Sequence, residues 1–186
     1  MKQKVNTKRI TYVGLLGALA FLLMSIFSVP LIPGAQFLRF EPSEIPALVA
    51  SVTFGPVAGV MTNLIKDILY FMFRAKGIFG PLSDCLITSV FVFVVGWIYQ
   101  KKPDCKGLII ACIIGSIART IAMVPVNCVI LPLQFGYGTE KVVQMMPYAL
   151  IPFNLIKAAI NSFGTVVIYQ VVLKRVPNLL HARDRV

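Results

Sequence analysis

The stretch IPFNLIKAAIN, residues 151–161, sets a lysine and two asparagines deep inside an apolar run long enough to enter a membrane. Asn154, Lys157 and Asn161 recur at i, i+3 and i+7, which places them on one face of a helix. An ammonium group near the bilayer centre costs at least ~3 kcal/mol on insertion scales, so a lysine there with an asparagine one turn away marks a ligand or ion site by default. The tetrapeptide Asn-Leu-Ile-Lys also occurs at residues 63–66, again inside an apolar run. Four residues are too few to establish an internal duplication.

Working outward, 58% of the 186 residues are hydrophobic and only 13% are charged, a composition of integral membrane proteins rather than soluble domains. Apolar segments fall at residues 9–29, 44–54, 56–73, 81–100, 108–131 and 147–173. Most approach the roughly 20 residues that a spanning helix requires. They do not alternate polar and apolar residues as the strands of a membrane barrel would, so helices are expected. The reading is an all-α bundle of six transmembrane helices forming a single membrane domain over residues 1–186.

The short segment 44–54 could fuse through Gly55-Pro56 with the next one and leave five spans; charge separates the two arrangements. With six spans and both termini cytoplasmic, eleven basic residues lie inside and four outside (Arg39, Arg74, Lys76, Lys141), while Lys66, Arg119 and Lys157 stay within the membrane. Five spans give seven inside and eight outside, which discards the positive-inside bias. Topology therefore accounts for most of the net charge of +11, and no basic domain suggests nucleic acid. The N-terminal run lacks a small-residue cleavage site and reads as a retained helix.

The four cysteines form no CxxC pair and the one histidine, His181, lies in the C-terminal tail, so neither a metal site nor a disulfide framework is expected. The absence of a phosphate-binding loop means that any ATP used by this system is hydrolysed on another chain. No Ser, His or Cys arrangement suggests a nucleophile, so an intramembrane enzyme is the weaker alternative.

In this topology both Asn-Leu-Ile-Lys copies lie in the outer half of the membrane, roughly 10 to 15 Å below its external end at 1.5 Å per residue. Asn127 and Asp84 also lie toward the outside, so four helices offer polar groups to one external pocket. The external loop 30–42 is unusually apolar around Gln36, Phe37, Leu38 and Phe40. It reads either as a lid that walls an aromatic ligand or as an interfacial loop among lipid headgroups. Lys157 reads either as a ligand donor or as a packing residue neutralised by Asp67 or Asp84. Arg119 is expected to be structural or snorkelling and outside the site. Pro125 and Pro152 are expected to kink their helices. On the first helix, Gly14, Gly17 and Ala18 form a small-residue face for close helix packing, either within the bundle or with a partner subunit.

Residues 14–20, the stretch FLRFEPSEIPAL at 37–48, FGPVAGV at 54–60 with the first Asn-Leu-Ile-Lys, residues 123–132 and IPFNLIK at 151–157 together resemble, in order and spacing, the substrate-binding S component of energy-coupling factor (ECF) vitamin transporters. The riboflavin-specific members are the most similar. The resemblance implies an S-component fold in a bacterial cell membrane and uptake of riboflavin with a T component and two ATPases. It implies no cofactor and no chemistry on this chain. It places Asn154, Lys157 and Asn127 against the flavin, the first-loop residues Gln36, Phe37 and Leu38 over it, and Gly14 and Ala18 at the T-component dock. Helix four departs from the family pattern: Pro81-Leu-Ser-Asp84 stands where riboflavin members often read Glu-Leu-Ala-Asn. An acid there could neutralise Lys157, and another vitamin such as pantothenate stays open as the ligand.

Overall fold

The computed structural model describes residues 7–31 and 38–175, apart from the side chain of Lys174. The described residues are almost wholly helical: α1 (Thr7–Ile26), α2 (Glu44–Phe54), α3 (Pro56–Phe73), α4 (Phe79–Tyr99), α5 (Cys105–Phe135), α6 (Thr139–Met145) and α7 (Ile151–Val171). A π turn over Met146–Leu150 joins α6 to α7. Two two-residue strands, β1 (Val29–Pro30) and β2 (Arg39–Phe40), pair antiparallel with Val29 opposite Phe40. The first loop is thus pinched at its base, and Arg39 donates to both the hydroxyl and the carbonyl of Ser28, each at 2.7 Å.

Among the described residues, four helical runs are long and apolar enough to cross a bilayer: α1, α4, α5 and the 33-residue stretch Thr139–Val171 that combines α6, the π turn and α7. The last run starts well before residue 147, where the apolar pattern places its beginning, because Gly138 and a polar first turn precede the apolar stretch. Pro152 stands in the first turn of α7, where its missing N–H costs little; the irregularity lies just before it as the π turn.

Helix α2 has only 11 residues, about half a span, but nine of them are buried. It is the centre of the bundle rather than part of its wall. Ala47, Leu48 and Val52 pack with Phe91, Val92 and Val95 of α4, Leu108 and Ala111 of α5, and Ala158 of α7. Helices α2 and α3 are separated at Gly55, whose φ of 99° is a conformation that side chains strongly disfavour, and Pro56 starts α3. Ser51 of α2 donates to the Val92 carbonyl at 2.8 Å, so α2 is also tied to α4 by a buried polar contact.

The outer surface carries large exposed apolar residues, among them Leu15, Leu19 and Leu22 on α1 and Ile113, Ile117 and Ile121 on α5. Such a belt is stable in hydrocarbon and would be a liability in water. A second apolar cluster joins Ile87, Met123, Leu131, Met145, Leu150 and Phe153 with Leu38 from the first loop. Leu38 is buried, so this end of the loop packs onto the bundle rather than resting among lipid headgroups.

Small residues on α1 divide between two faces. Gly17 is buried against α3, and a β-carbon there would lie 2.7 Å from Cγ2 of Ile65. That corrects its assignment to a partner-docking face: its missing side chain is what lets α1 and α3 approach. Gly14 has open space around its missing β-carbon, and Ala18, one turn on, is exposed.

Candidate functional site: a charge-lined cavity beneath the first loop

A cavity of about 180 Å³ opens between the first loop and helices α4, α5 and α7. Leu38 and Glu41 come from the loop, Asp84 and Ile87 from α4, Arg119, Asn127 and Leu131 from α5, and Phe153, Asn154 and Lys157 from α7. Of the residues that the sequence assigned to ligand binding, five therefore share one cavity: Asn154, Lys157, Asn127, Asp84 and Leu38. Gln36 and Phe37 lie outside the described residues.

Asn161 is not in the cavity wall. It is fully buried one turn beyond Lys157, and its side-chain amide donates to the Lys157 carbonyl at 3.0 Å and, at the limit of a hydrogen bond, to the Glu41 carbonyl at 3.5 Å. The i, i+7 spacing keeps it on the same stripe but almost two turns deeper than Asn154, behind the cavity wall.

Arg119, expected to be structural or snorkelling and outside the site, has the structural role but lines the cavity. Its guanidinium is buried at the cavity, donates from Nη1 to Glu44 Oε2 at 2.7 Å and from Nε to Asn154 Oδ1 at 3.0 Å, and lies over the Phe91 ring at 5.6 Å. A snorkelling arginine would reach the headgroups; this one is held inward by a carboxylate, an amide and an aromatic face.

Lys157 Nζ lies 2.5 Å from Glu41, 2.9 Å from Asp84 and 3.1 Å from Glu44. An ammonium group has three hydrogens, and here three carboxylates surround it. Asp84 uses its other oxygen on Lys66 at 2.5 Å, and Lys66 also lies 3.2 Å from Asp67. Three cations and four carboxylates, contributed by the first loop and five helices, thus form one buried network. Its charge balance carries no positive excess. Burial pushes the Glu41 carboxyl up from its ordinary value near 4.5, against the opposing pull of Lys157.

The first Asn-Leu-Ile-Lys copy has a different job from the second. Asn63 donates to the Cys85 carbonyl at 3.3 Å and to the Ser89 hydroxyl at 3.2 Å, tying α3 to α4, while Lys66 reaches the network through Asp84. Asn127 is held only loosely, with Ser83 Oγ 3.5 Å from its oxygen and its nitrogen 3.4 Å from the Met123 sulfur.

The sequence reading missed Glu41 and Glu44 and placed Arg119 outside the site. Helix periodicity connects residues within one element, whereas these belong to the loop, α2 and α5: Glu41 and Glu44 meet Lys157, and Arg119 meets Asn154, only in the folded bundle. Charge balance was the available signal. Three cations within the membrane need carboxylates, and Glu41 and Glu44 flank the apolar start of α2.

A helical bundle with an apolar outer belt that encloses a polar cavity beneath a packed loop has the architecture of a solute-binding membrane subunit. The family described as "ECF transporter, substrate-specific component" matches over residues 8–169, and the chain belongs to that family. It is a multi-pass bacterial membrane protein and a transporter subunit.

Its relatives include the riboflavin transporter RibU of Staphylococcus aureus (strain TCH60), 32% identical over 182 residues covering 91% of this chain and 94% of the relative. The riboflavin transporter RibU of Streptococcus thermophilus is 29% identical, covering 88% of this chain and 82% of its own. The riboflavin transporter FmnP of Bacillus subtilis is 27% identical, covering 84% and 87%. A solved structure of the S component of a bacterial ECF transporter superimposes with a TM-score of 0.80 at 30% identity, over 91% of this chain and 97% of that one.

Proposed function

We propose that this chain is the riboflavin-binding S component of an ECF-type importer. The observation that carries the reading is the convergence of Asn127, Asn154 and Lys157 with the apolar Leu38, Ile87, Leu131 and Phe153 on one cavity under the first loop. A planar, uncharged ring with carbonyl acceptors on its edge suits apolar walls and a few donors. Asn127 and Asn154 would donate to ring carbonyls or ribityl hydroxyls, and Lys157 would do so by exchanging one of its three carboxylates for the ligand. The charge balance of the network favours this ligand over a carboxylate vitamin such as pantothenate, because four acids already neutralise the three cations.

In this reading the whole chain is one membrane domain of six spans with both termini in the cytoplasm. Helices α1, α2, α3, α4 and α5 and the combined α6–α7 run make up the six, with α2 a half-length helix enclosed by the others. The positive-inside distribution supports that orientation. Gly14 and Ala18 on the outer face of α1 would receive a T component, and two ATPases on partner chains would supply the hydrolysis that drives release inside. The chain itself performs no covalent chemistry.

The test is a visible absorption spectrum of the detergent-purified chain, followed by titration with riboflavin while flavin fluorescence is recorded. A co-purified flavin spectrum or saturable one-to-one quenching is the expected result. A colourless protein that ignores riboflavin would redirect the search to other vitamins.

A further inference from the structure

Arg119 and Asn154 form a pair whose chemistry fixes which end of an amide faces the ligand. The guanidinium has donors only, so the Asn154 side chain must turn its oxygen toward Arg119 Nε, 3.0 Å away. The amide nitrogen is then committed to the other side, where one hydrogen goes to the Leu150 carbonyl at 2.9 Å. One amide hydrogen is left on a side chain that lines the cavity. Without such a partner, an asparagine can present either its acceptor or its donors by a 180° flip.

Arg119 is itself kept from moving. Glu44 Oε2 accepts from its Nη1 at 2.7 Å, while Glu44 Oε1 accepts from Thr88 at 3.3 Å and lies 3.1 Å from Lys157. Both Arg119 and Glu44 are buried, so the orientation passes from the central helix α2 through α5 to α7 by hydrogen bonds that water does not contest.

We propose that Arg119 is a specificity-determining positioning residue: by polarising Asn154 it makes the cavity present an N–H there, and so selects a ligand edge that bears a hydrogen-bond acceptor. This assignment rests on the flavin-binding reading and adds to it a residue that need not touch the ligand. A site built to donate rejects a ligand that cannot accept more strongly than an apolar pocket rejects a change of size.

The test compares detergent-purified wild type with Arg119→Gln, Arg119→Lys, Asn154→Ala, Asn154→Asp and the double variant Arg119→Gln/Asn154→Ala. Riboflavin affinity is read by fluorescence quenching, and discrimination by competition with 2-thioriboflavin and 4-thioriboflavin, whose sulfur accepts hydrogen bonds weakly. Wild type is expected to prefer riboflavin over at least one thio analogue, and Arg119→Lys, still a donor-only cation, to keep that preference. Arg119→Gln can both donate and accept, so it should lose the preference and roughly tenfold in affinity, the size of one well-placed hydrogen bond. In the Asn154→Ala background the same substitution should have little further effect. Should Arg119→Gln fail to fold, Asn154→Asp still decides: it accepts from Arg119 but cannot donate, and should lose both affinity and preference. Unchanged discrimination in Arg119→Gln, an undiminished effect in the Asn154→Ala background, or wild-type affinity in Asn154→Asp would each overturn the assignment while flavin binding by wild type stands. A wild type that binds no flavin would overturn the functional reading and this assignment with it.

Discussion

Glu41 on the first loop and Lys157 on α7 stand 2.5 Å apart and 116 residues apart in the chain. Glu44 is also held by Arg119, and Asp84 by Lys66, but Lys157 is the ion-pair partner described for the Glu41 carboxylate. The contact therefore ties the loop over the cavity and occupies one hydrogen of the lysine that a ligand would use.

Glu41→Gln is expected to loosen the loop. Trypsin should cleave after Arg39 severalfold faster in the variant, and riboflavin should associate faster in stopped-flow quenching. Identical cleavage rates in the two proteins would show that the loop is held by its apolar packing at Leu38 alone.

Lys157→Ala leaves three carboxylates crowded in a buried site, so it should destabilise the free protein by about 3–5 kcal/mol, the usual cost of breaking a buried ion pair from one side. It should also abolish high-affinity riboflavin binding. Thermal melts in detergent check the first effect and quenching the second. A melt like that of wild type would mean that the carboxylates find other partners.

Asp84→Asn removes one negative charge from a network with four carboxylates and three cations, and its amide oxygen still accepts from one lysine. The expected loss of stability is smaller than for Lys157→Ala, about 1–3 kcal/mol for the hydrogen bond to a charged group. If the two variants melt together, Asp84 holds the network as strongly as Lys157.

Two substitutions on α1 separate packing from docking. Gly17→Leu must push into Ile65 and should cost about 1–3 kcal/mol through overpacking. Gly14→Leu projects into open space and should leave the free chain as stable as wild type while reducing co-purification with a T component. Undisturbed complex formation by Gly14→Leu would move the docking surface elsewhere.

The apolar runs were legible because membrane insertion is decided locally: a segment of sufficient length and apolarity satisfies its own backbone as a helix wherever it lies in the fold. The polar stripe of α7 was legible for the same reason, since Asn154 and Lys157 share a face by helical geometry alone. Asn161 shows the limit of that argument. Sharing a stripe does not fix depth, and tertiary packing puts it behind the cavity.

Sequence by itself determined the helical membrane character, the family, the breaking residues Gly55-Pro56 and the polar side chains of α4, α5 and α7 that face inward. Tertiary structure decided how their charges are compensated. It placed α2 at the centre, folded Glu41 down from the loop, turned Arg119 inward to Glu44 and Asn154, and set Gly17 against Ile65 instead of a partner. The physical reason is range. Hydrophobicity and helical periodicity act within one segment, whereas a buried charge must find its counter-charge wherever the bundle brings one within about 3–4 Å, without regard to distance along the chain.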